Sequence, residues 1–308
     1  MNKESAIRQP ASLLERAAEI YDFSAALRAA APAAEPSAQP APEPARAPQA
    51  AERPRPEPAF RRARPAGPVQ PVDRAALAEA GFILPDAPVT GLAEEYRIVK
   101  RELLAALART DLPEERRRAV MVCSANPDEG KTFSALNLAL SLAGEKDVEV
   151  LLVDGDFNKP ELLSILGLEG ETGLVDALAD PALDPERAVI RTDIPGLSVL
   201  PAGRAANNVP ELLGSARTRE VLGRLAAADP RRILLFDSPP TLMASPASVL
   251  AAHVGQVVLV VRADRTVEAD LREAVRLLSA CPNLSLLLNG AGFAATGRRF
   301  GSYYGYGQ

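Results

Sequence analysis

The chain has 308 residues, a net charge of −5 and an isoelectric point near 5.3, a balance that argues against a nucleic-acid-binding protein. It contains only 2 cysteines, too few for a disulfide framework, and it has no secretory signal and no apolar run of membrane-spanning length. These features predict a cytoplasmic protein, in which any role at a membrane requires a partner.

The first 72 residues predict a short helical segment and a linker. Within residues 1–30, an amphipathic pattern runs from about 11 to 30. One interpretation is a helix that docks onto a partner or onto a membrane surface. The other is a marginal, frayed helix. In residues 31–72, 12 of the 28 prolines of the chain fall between Pro32 and Pro71. Such a segment buries too little apolar surface to offset its ordering entropy, so we expect a disordered or polyproline-like linker.

A single domain is expected over residues 73–295, followed by a tail over 296–308; about 230 residues are enough for one sizeable core. Its first clear element is a helix from about Leu92 to Arg109. Three charged side chains recur along one side of this helix: Glu94, Arg97 and Lys100. Charges spaced in this way usually stabilise an exposed helix by a few tenths of a kcal/mol. The sharper hypothesis is a charged edge offered to a neighbouring subunit.

The segment around Lys131 and Thr132 has the order of apolar strand, turn-rich loop and helix that a phosphate-binding loop requires. Backbone N–H groups and the helix N-terminus favour an anion there, Lys131 would reach the β- and γ-phosphates, and the Thr132 hydroxyl would ligate Mg²⁺. Ala125 stands where the consensus has glycine, so a chance Gly-Lys-Thr at a helix start is the alternative. Asp128 and Glu129 are tolerable only if their side chains point outward while their amides point in. The residues expected to contact the nucleotide are Asn126, Pro127, Asp128, Glu129, Gly130, Lys131, Thr132 and Phe133.

Apolar runs alternate with helical patterns through the rest of the domain. The runs are Val148–Val153, Leu197–Leu200, Ile233–Phe236, Val257–Val261 and Leu284–Leu288, and the clearest helical patterns are Pro210–Ala228 and Val267–Ala280. This alternation predicts an α/β domain that is doubly wound around a mostly parallel sheet. Ligands bind at the carboxyl ends of the strands in that architecture.

Polar residues stand at several of these strand ends. Asp237 would hold Mg²⁺ through a water once ATP is bound. Asp154 and Asp156 lie two residues apart, so one would help to position Mg²⁺ while the other accepts a proton from an attacking hydroxyl. The alternative for each aspartate is a turn-former or a helix cap. Asn289 offers a donor and an acceptor to a purine edge, or it is an ordinary turn residue.

The chain ends in an aromatic stretch interleaved with glycine. Of its 5 tyrosines, three lie here, at Tyr303, Tyr304 and Tyr306. We expect a mobile tail whose phenol hydroxyls accept phosphoryl groups, each adding about −1.5 to −2 charges. The alternative is an adhesive tail without a function.

Together these motifs resemble those of the bacterial tyrosine kinases, which have a P-loop NTPase fold of the MinD/ParA-like type. The resemblance runs from about Leu92 to Gln308. It covers the loop Ser124–Thr132, the second motif Leu151–Asp156, the Phe-Asp-Ser-Pro-Pro motif Phe236–Pro240, the segment Asn208–Leu213, and Glu94, Arg97 and Lys100, with Lys for the second Arg of an oligomerisation motif. The Ser12–Ala17 start, the Glu94–Arg97 segment and the Tyr-Tyr-Gly-Tyr-Gly ending most resemble exosortase-A (XrtA)-associated tyrosine autokinases of exopolysaccharide loci.

The resemblance implies ATP- and Mg²⁺-dependent autophosphorylation of the tail in trans, within a ring-like homo-oligomer. Lys131, Asp154, Asp156 and Asp237 would be the catalytic residues, and Thr132, Asp154 and Asp237 the metal ligands. The implied partners are a membrane co-polymerase, which activates the kinase and recruits it to the inner face of the membrane, and a cognate tyrosine phosphatase. Control of exopolysaccharide polymerisation or export would be the outcome.

One departure from the family pattern lies after the second motif. The family often has Arg there, and this chain has Asn158-Lys159-Pro160, where Lys159 would supply the charge without the fork geometry of Arg. Two alternatives remain open. A MinD/ParA-like switch ATPase is disfavoured because Asn126 replaces the signature Lys of those proteins, and an ATP-binding scaffold without kinase activity is favoured by Asn158.

Overall fold

The computed structural model describes residues 67–291, so the predicted N-terminal helix and the tyrosine-rich tail lie outside the described residues. Within that range the chain forms eight strands and ten α-helices. In chain order they are β1 (Val69–Gln70), α1 (Arg74–Glu79), α2 (Gly91–Arg109), α3 (Glu114–Arg117), β2 (Ala119–Ser124), α4 (Lys131–Ala143), β3 (Glu149–Asp154), α5 (Leu162–Leu166), α6 (Leu174–Ala179), a 3₁₀ turn (Pro185–Ala188), β4 (Ile190–Thr192), β5 (Leu197–Leu200), α7 (Val209–Leu213), α8 (Ala216–Ala227), β6 (Arg232–Asp237), α9 (Ser245–Ala251), β7 (Gln256–Arg262), α10 (Glu268–Leu277) and β8 (Leu284–Asn289).

The strands form one sheet in the order β1-β4-β5-β3-β6-β2-β7-β8. All neighbouring pairs are parallel except β4 and β5, which are antiparallel. This topology confirms the doubly wound, mostly parallel α/β fold. It also brings the carboxyl ends of β2, β3 and β6 to one edge of the sheet, where an α/β fold binds its ligands.

The central strands are apolar because both of their faces are covered by helices. In β2, Met121 and Cys123 belong to the core on one face, while Val120 and Val122 belong to the core on the other. Every residue of β2 and of β6 is buried. The two apolar layers therefore hold the strand ends in fixed positions, which is what a site built from several strands requires.

The folded domain begins within the range assigned to the linker. The β1 strand pairs with β4, and Val72 is buried with its N–H donating to Asp193 Oδ1 at 2.9 Å. The next residue, Asp73, caps α1 by accepting from the Ala76 N–H. Residues 67–72 thus belong to the domain, because their backbone bonds and one apolar side chain are supplied by it.

The long helix predicted over Pro210–Ala228 is two helices. The first, α7, ends at Leu213 with Gly214 as its C-cap, and Ser215 takes an extended conformation before α8 begins. The apolar periodicity continues across this break, so the sequence pattern alone predicts one helix. The Pro210 and Leu212 carbonyls accept the Gly214 N–H, which closes the first helix.

The predicted helix over Leu92–Arg109 is confirmed as α2, but one of its three charged side chains is placed differently from the expectation. Lys100 is 8 % exposed, and its ammonium donates to the Ser141 carbonyl at 2.9 Å and pairs with Glu145 at 2.7 Å. Both partners belong to the end of α4 and the turn after it, so Lys100 fastens α2 to its own domain. Its charge is therefore paired within its own domain. Glu94 and Arg97 pair with each other on the partly exposed part of α2.

Across residues 67–291, no helix combines the length and the apolar character needed to cross a membrane.

Candidate active site

The loop between β2 and α4 provides the strand–loop–helix arrangement of a phosphate site. Two of its residues have left-handed backbone conformations, Asp128 with φ of 60° and Gly130 with φ of 91°. The conformation of Gly130 requires glycine, and a Cβ atom there would lie 2.1 Å from Nδ2 of Asn289, so it would displace that side chain. Lys131 and Thr132 follow as the first residues of α4, whose N-terminus faces the loop.

Glu129 is placed differently from the expectation that its side chain points outward. It is 1 % exposed and is folded beneath the loop, where it accepts the Asn126 N–H at 2.9 Å and the Thr266 hydroxyl at 2.6 Å. Asp128 is exposed, as expected. The acidic side chain of Glu129 is therefore removed from the anion site by burial and by hydrogen bonds, not by exposure to solvent.

Two of the predicted carboxylates lie side by side because their strands are parallel neighbours. Asp154 at the end of β3 pairs in register with Asp237 at the end of β6. The residue between the acids of the second motif, Gly155, donates its N–H to the Asp237 carbonyl at 2.7 Å, and a Cβ there would lie 2.9 Å from that oxygen. Gly155 is thus the residue that lets the two strand ends approach each other.

Lys131 joins these acids to the phosphate loop. Its Nζ lies 2.7 Å from Asp156 Oδ2 and 3.9 Å from Asp237 Oδ1, and it donates to the Thr132 hydroxyl at 3.2 Å. Burial opposes the charge of Lys131, but the carboxylates of Asp237 and Asp156 raise its pKa above the ordinary value. The ammonium is therefore held in its charged form, at the point where the loop meets the strand ends.

Burial keeps protons on two of the carboxyl groups at higher pH than usual. Burial, and after it the charge of Asp237, raises the pKa of Asp154 to about 7. Burial also raises the pKa of Asp237 to about 6, although the charge of Lys131 acts in the opposite direction. A cation placed here would favour the ionised forms of both groups.

Asp154 also acts as a local structural acceptor. Its carboxylate accepts the N–H of Asp156 at 3.3 Å and the N–H of Leu162, the first residue of α5, at 3.2 Å. Asp154 therefore also has the structural role that was the alternative to a metal site, because its carboxylate accepts N–H groups from the turn after β3 and from the start of α5. The same bonds fix the orientation of the carboxylate beside Asp237.

A cleft of about 420 Å³ opens in front of these groups. Its lining includes several of the predicted residues: Pro127, Asp128, Gly130, Lys131, Thr132, Phe133 and Asp156. Asn158, Lys159 and Glu161 line the other wall, with Met243 on a further loop; these were not predicted as site residues. Lys159 is 2.7 Å from Glu161, so the charge that follows the second motif is paired within the cleft wall.

Three predicted nucleotide contacts lie behind the loop and do not line the cleft. The Asn126 side chain donates to Asp270 at 2.8 Å, Glu129 is buried, and the Asn289 side chain donates to the Glu129 carbonyl at 2.9 Å. Tyr303, Tyr304 and Tyr306 lie outside the described residues.

The site has one unsatisfied oxygen that suits a cation. Asp237 Oδ1 is buried and has no hydrogen-bond donor. Among the described residues no cluster of three or more His, Cys, Asp and Glu side chains is arranged to hold a metal ion. Mg²⁺ does not need such a cluster, because it typically takes one or two carboxylates and fills its other positions with water and substrate phosphates.

Fold and site together define a P-loop nucleotide-binding domain with an acidic pair at the strand ends. The chain is 31% identical over 199 residues to the tyrosine-protein kinase YwqD of Bacillus subtilis, covering 64% of this chain and 80% of that protein. It is 33% identical over 202 residues to the putative tyrosine-protein kinase EpsB of Ralstonia nicotianae, covering 61% of this chain but only 26% of EpsB. The kinase domain of the Escherichia coli tyrosine kinase ETK superposes with a TM-score of 0.61 and 27% identity, covering 73% of this chain and 85% of that domain.

No protein-family model matches the sequence. The similarity to YwqD extends over most of that protein, and the ETK kinase domain has the same fold. The chain belongs to the bacterial tyrosine-protein kinase family.

Proposed function

We propose that the chain binds ATP with Mg²⁺ in the cleft and transfers the γ-phosphoryl group to tyrosines of a neighbouring copy. The observation that carries the proposal is the convergence of Lys131 with Asp156 and Asp237 beside the phosphate loop. The acceptors would be the tail tyrosines: Tyr303, Tyr304 and Tyr306. Membership of the tyrosine-protein kinase family supports tyrosine as the acceptor.

The phosphate loop would hold the triphosphate through backbone N–H groups and Lys131. The N-terminus of α4 adds partial positive charge to the same place. Because Lys131 is paired with Asp156 at 2.7 Å, a triphosphate competes with this carboxylate for the ammonium. Binding would then leave the oxygens of Asp156 free for another partner.

Mg²⁺ would be held by the Thr132 hydroxyl and by Asp237, whose Oδ1 has no donor. Asp154 is 1 % exposed, so we assign it a supporting role in which it acts through water and through its neighbour Asp237. A bound Mg²⁺ would supply positive charge that neutralises the negative charge developing on the phosphate oxygens during transfer.

Asp156 is the proposed acceptor of the phenol proton. The phenol oxygen forms a bond to the γ-phosphorus while the bond from that phosphorus to the β-phosphate oxygen breaks, and ADP leaves. The phenol proton passes to a carboxylate oxygen of Asp156, which lines the cleft. Lys131 stabilises the charge on the phosphate oxygens throughout.

Transfer between copies would require an oligomer, for which we propose a ring with Glu94 and Arg97 of α2 at its interfaces. A membrane co-polymerase would activate the kinase, a cognate phosphatase would reset it, and the outcome would be control of exopolysaccharide polymerisation or export. The kinase would work in the cytoplasm, where the co-polymerase recruits it to the inner membrane face.

The test is to incubate the full chain with ATP and Mg²⁺ and to measure phosphotyrosine. Lys131→Met and Asp156→Asn should each abolish the signal, because they remove the phosphate ligand and the proton acceptor. The matched control is Lys146→Met, at an exposed lysine, which should leave it unchanged. Wild-type chain that yields no phosphotyrosine, even with an activator fragment present, would contradict the proposal.

A further inference from the structure

The phosphate loop is fastened to one side of the domain by three hydrogen bonds from its own residues. Glu129 accepts from Thr266 at 2.6 Å, Asn126 donates to Asp270 at 2.8 Å, and the Glu129 carbonyl accepts from Asn289 at 2.9 Å. All three partners come from the consecutive segment β7–α10–β8. The loop is thus held from behind by elements that do not line the cleft.

Glu129 is unusual among these groups because it is a buried carboxylate without a basic partner in the described part of the chain. Its exposed fraction is 1 %, and its two oxygens are occupied by the Asn126 N–H and the Thr266 hydroxyl. A buried charge is tolerated only where hydrogen bonds replace its hydration. The Thr266 hydroxyl supplies one of the two bonds that do so.

Thr266 is itself fixed on both sides. Its hydroxyl accepts the Arg262 N–H at 2.8 Å while it donates to Glu129, and its own N–H donates to the Arg262 carbonyl at 3.0 Å. The turn that contains it includes Asp264 with φ of 58°, a left-handed conformation that non-glycine residues seldom adopt. The position of Thr266 is therefore set by the end of β7. Glu129 links Thr266 to the phosphate loop, because its carboxylate accepts both the Thr266 hydroxyl and the Asn126 N–H.

We propose that Thr266, acting through Glu129, is a positioning residue that holds the phosphate loop in its binding conformation. The hydrogen bond from the Asn126 N–H to Glu129 restrains the start of the loop before any ligand arrives. A loop that is already ordered does not lose conformational entropy when it binds, and its donors are aimed in advance. The inference rests on the proposed function only in requiring that this loop binds phosphates.

The experiment compares Thr266→Val with Thr266→Ser in the full chain. Valine keeps the shape and removes the hydroxyl, whereas serine keeps the hydroxyl and removes a methyl group. Binding of ATP and of inorganic tripolyphosphate, each with Mg²⁺, is measured by calorimetry well below the melting temperature of each variant. Tripolyphosphate has no base, so it reports on the loop alone.

Thr266→Val should weaken the binding of both ligands by about tenfold, because it removes a hydrogen bond to a charged group and frees the loop. Thr266→Ser should bind both within about twofold of wild type. Glu129→Gln, which keeps one acceptor oxygen, serves as a second variant and should fall between them. Equal binding by the valine and serine variants, or a lower melting temperature for valine with unchanged binding, would overturn the positioning role.

The binding results for the Thr266 variants can be distinguished from a failure of the proposed kinase activity. A wild-type chain that binds ATP but transfers nothing to tyrosine contradicts the kinase proposal. The comparison of valine with serine still decides the role of Thr266 in that case.

Discussion

Asp154→Asn should remove a pH dependence from the stability of the ligand-free protein. The pKa of Asp154 is about 7 in the folded chain, compared with an ordinary value of 3.8, because the carboxyl is buried beside Asp237. A raised carboxyl pKa gives a stabilising contribution that is complete below the ordinary value and is lost as the pH rises through the folded value. Between pH 5 and pH 8 this loss amounts to about 2–3 kcal/mol for one such group.

The assay is urea unfolding at pH 5 and pH 8 in the presence of a chelator, so that neither nucleotide nor Mg²⁺ contributes. The wild-type free energy of unfolding should decrease over this interval, and in Asp154→Asn the decrease should be smaller by about 2–3 kcal/mol. If asparagine accepts the Leu162 N–H less well than aspartate does, the free-energy cost of that weaker bond is the same at both pH values and cancels in the difference. Asp147→Asn, at an exposed aspartate, is the matched control.

The same pH dependence in Asp154→Asn as in wild type would refute the reasoning. It would mean that the buried pair is hydrated, or that Asp237 carries the titration alone. Addition of Mg²⁺ and ATP to the wild type should also reduce the dependence, since a cation beside the pair favours its ionised form.

Two further substitutions test how the site and α2 are held. Gly155→Ala should destabilise the protein by about 1–3 kcal/mol and reduce phosphoryl transfer, because its Cβ would lie 2.9 Å from the Asp237 carbonyl oxygen. Thermal unfolding measures the stability, and the phosphotyrosine yield measures the transfer. If neither quantity changed, the ends of β3 and β6 could separate freely. Lys100→Met should cost about 1–3 kcal/mol in urea unfolding, because Ser141 and Glu145 lose their partner, while the oligomer size by light scattering stays the same. Loss of the oligomer with unchanged stability would instead place Lys100 at a subunit interface.

The sequence predicted the sheet well where the strands are long and buried. The run Leu197–Leu200 is β5 with the same bounds, and Ile233–Phe236 is the interior of β6. It did not predict β1 or β4, because strands of 2 and 3 residues carry no periodic signal and depend on pairing with each other. The break after α7 was also missed, since the apolar spacing continues across it.

The acidic site was predictable for a topological reason. Residues that follow parallel strands meet at one edge of the sheet, and Asp154 and Asp237 are accordingly in register. The support of the phosphate loop was not predictable, because Thr266 lies 137 residues from Glu129 and belongs to no recognisable motif. The pairing of Lys100 with Ser141 and Glu145 was not predictable for a similar reason, because helical spacing gives the side of α2 but not the neighbour it packs against.

The central claim is that this pocket phosphorylates the tail of another copy, and one mixing measurement tests it directly. A full-length Lys131→Met chain is combined with an active chain that ends at residue 295, and ATP and Mg²⁺ are added. Mass spectrometry of the C-terminal peptide of the Lys131→Met chain should then find phosphate on Tyr303, Tyr304 or Tyr306. An unmodified peptide, obtained while the full-length wild type phosphorylates its own tail under the same conditions, would contradict transfer between copies.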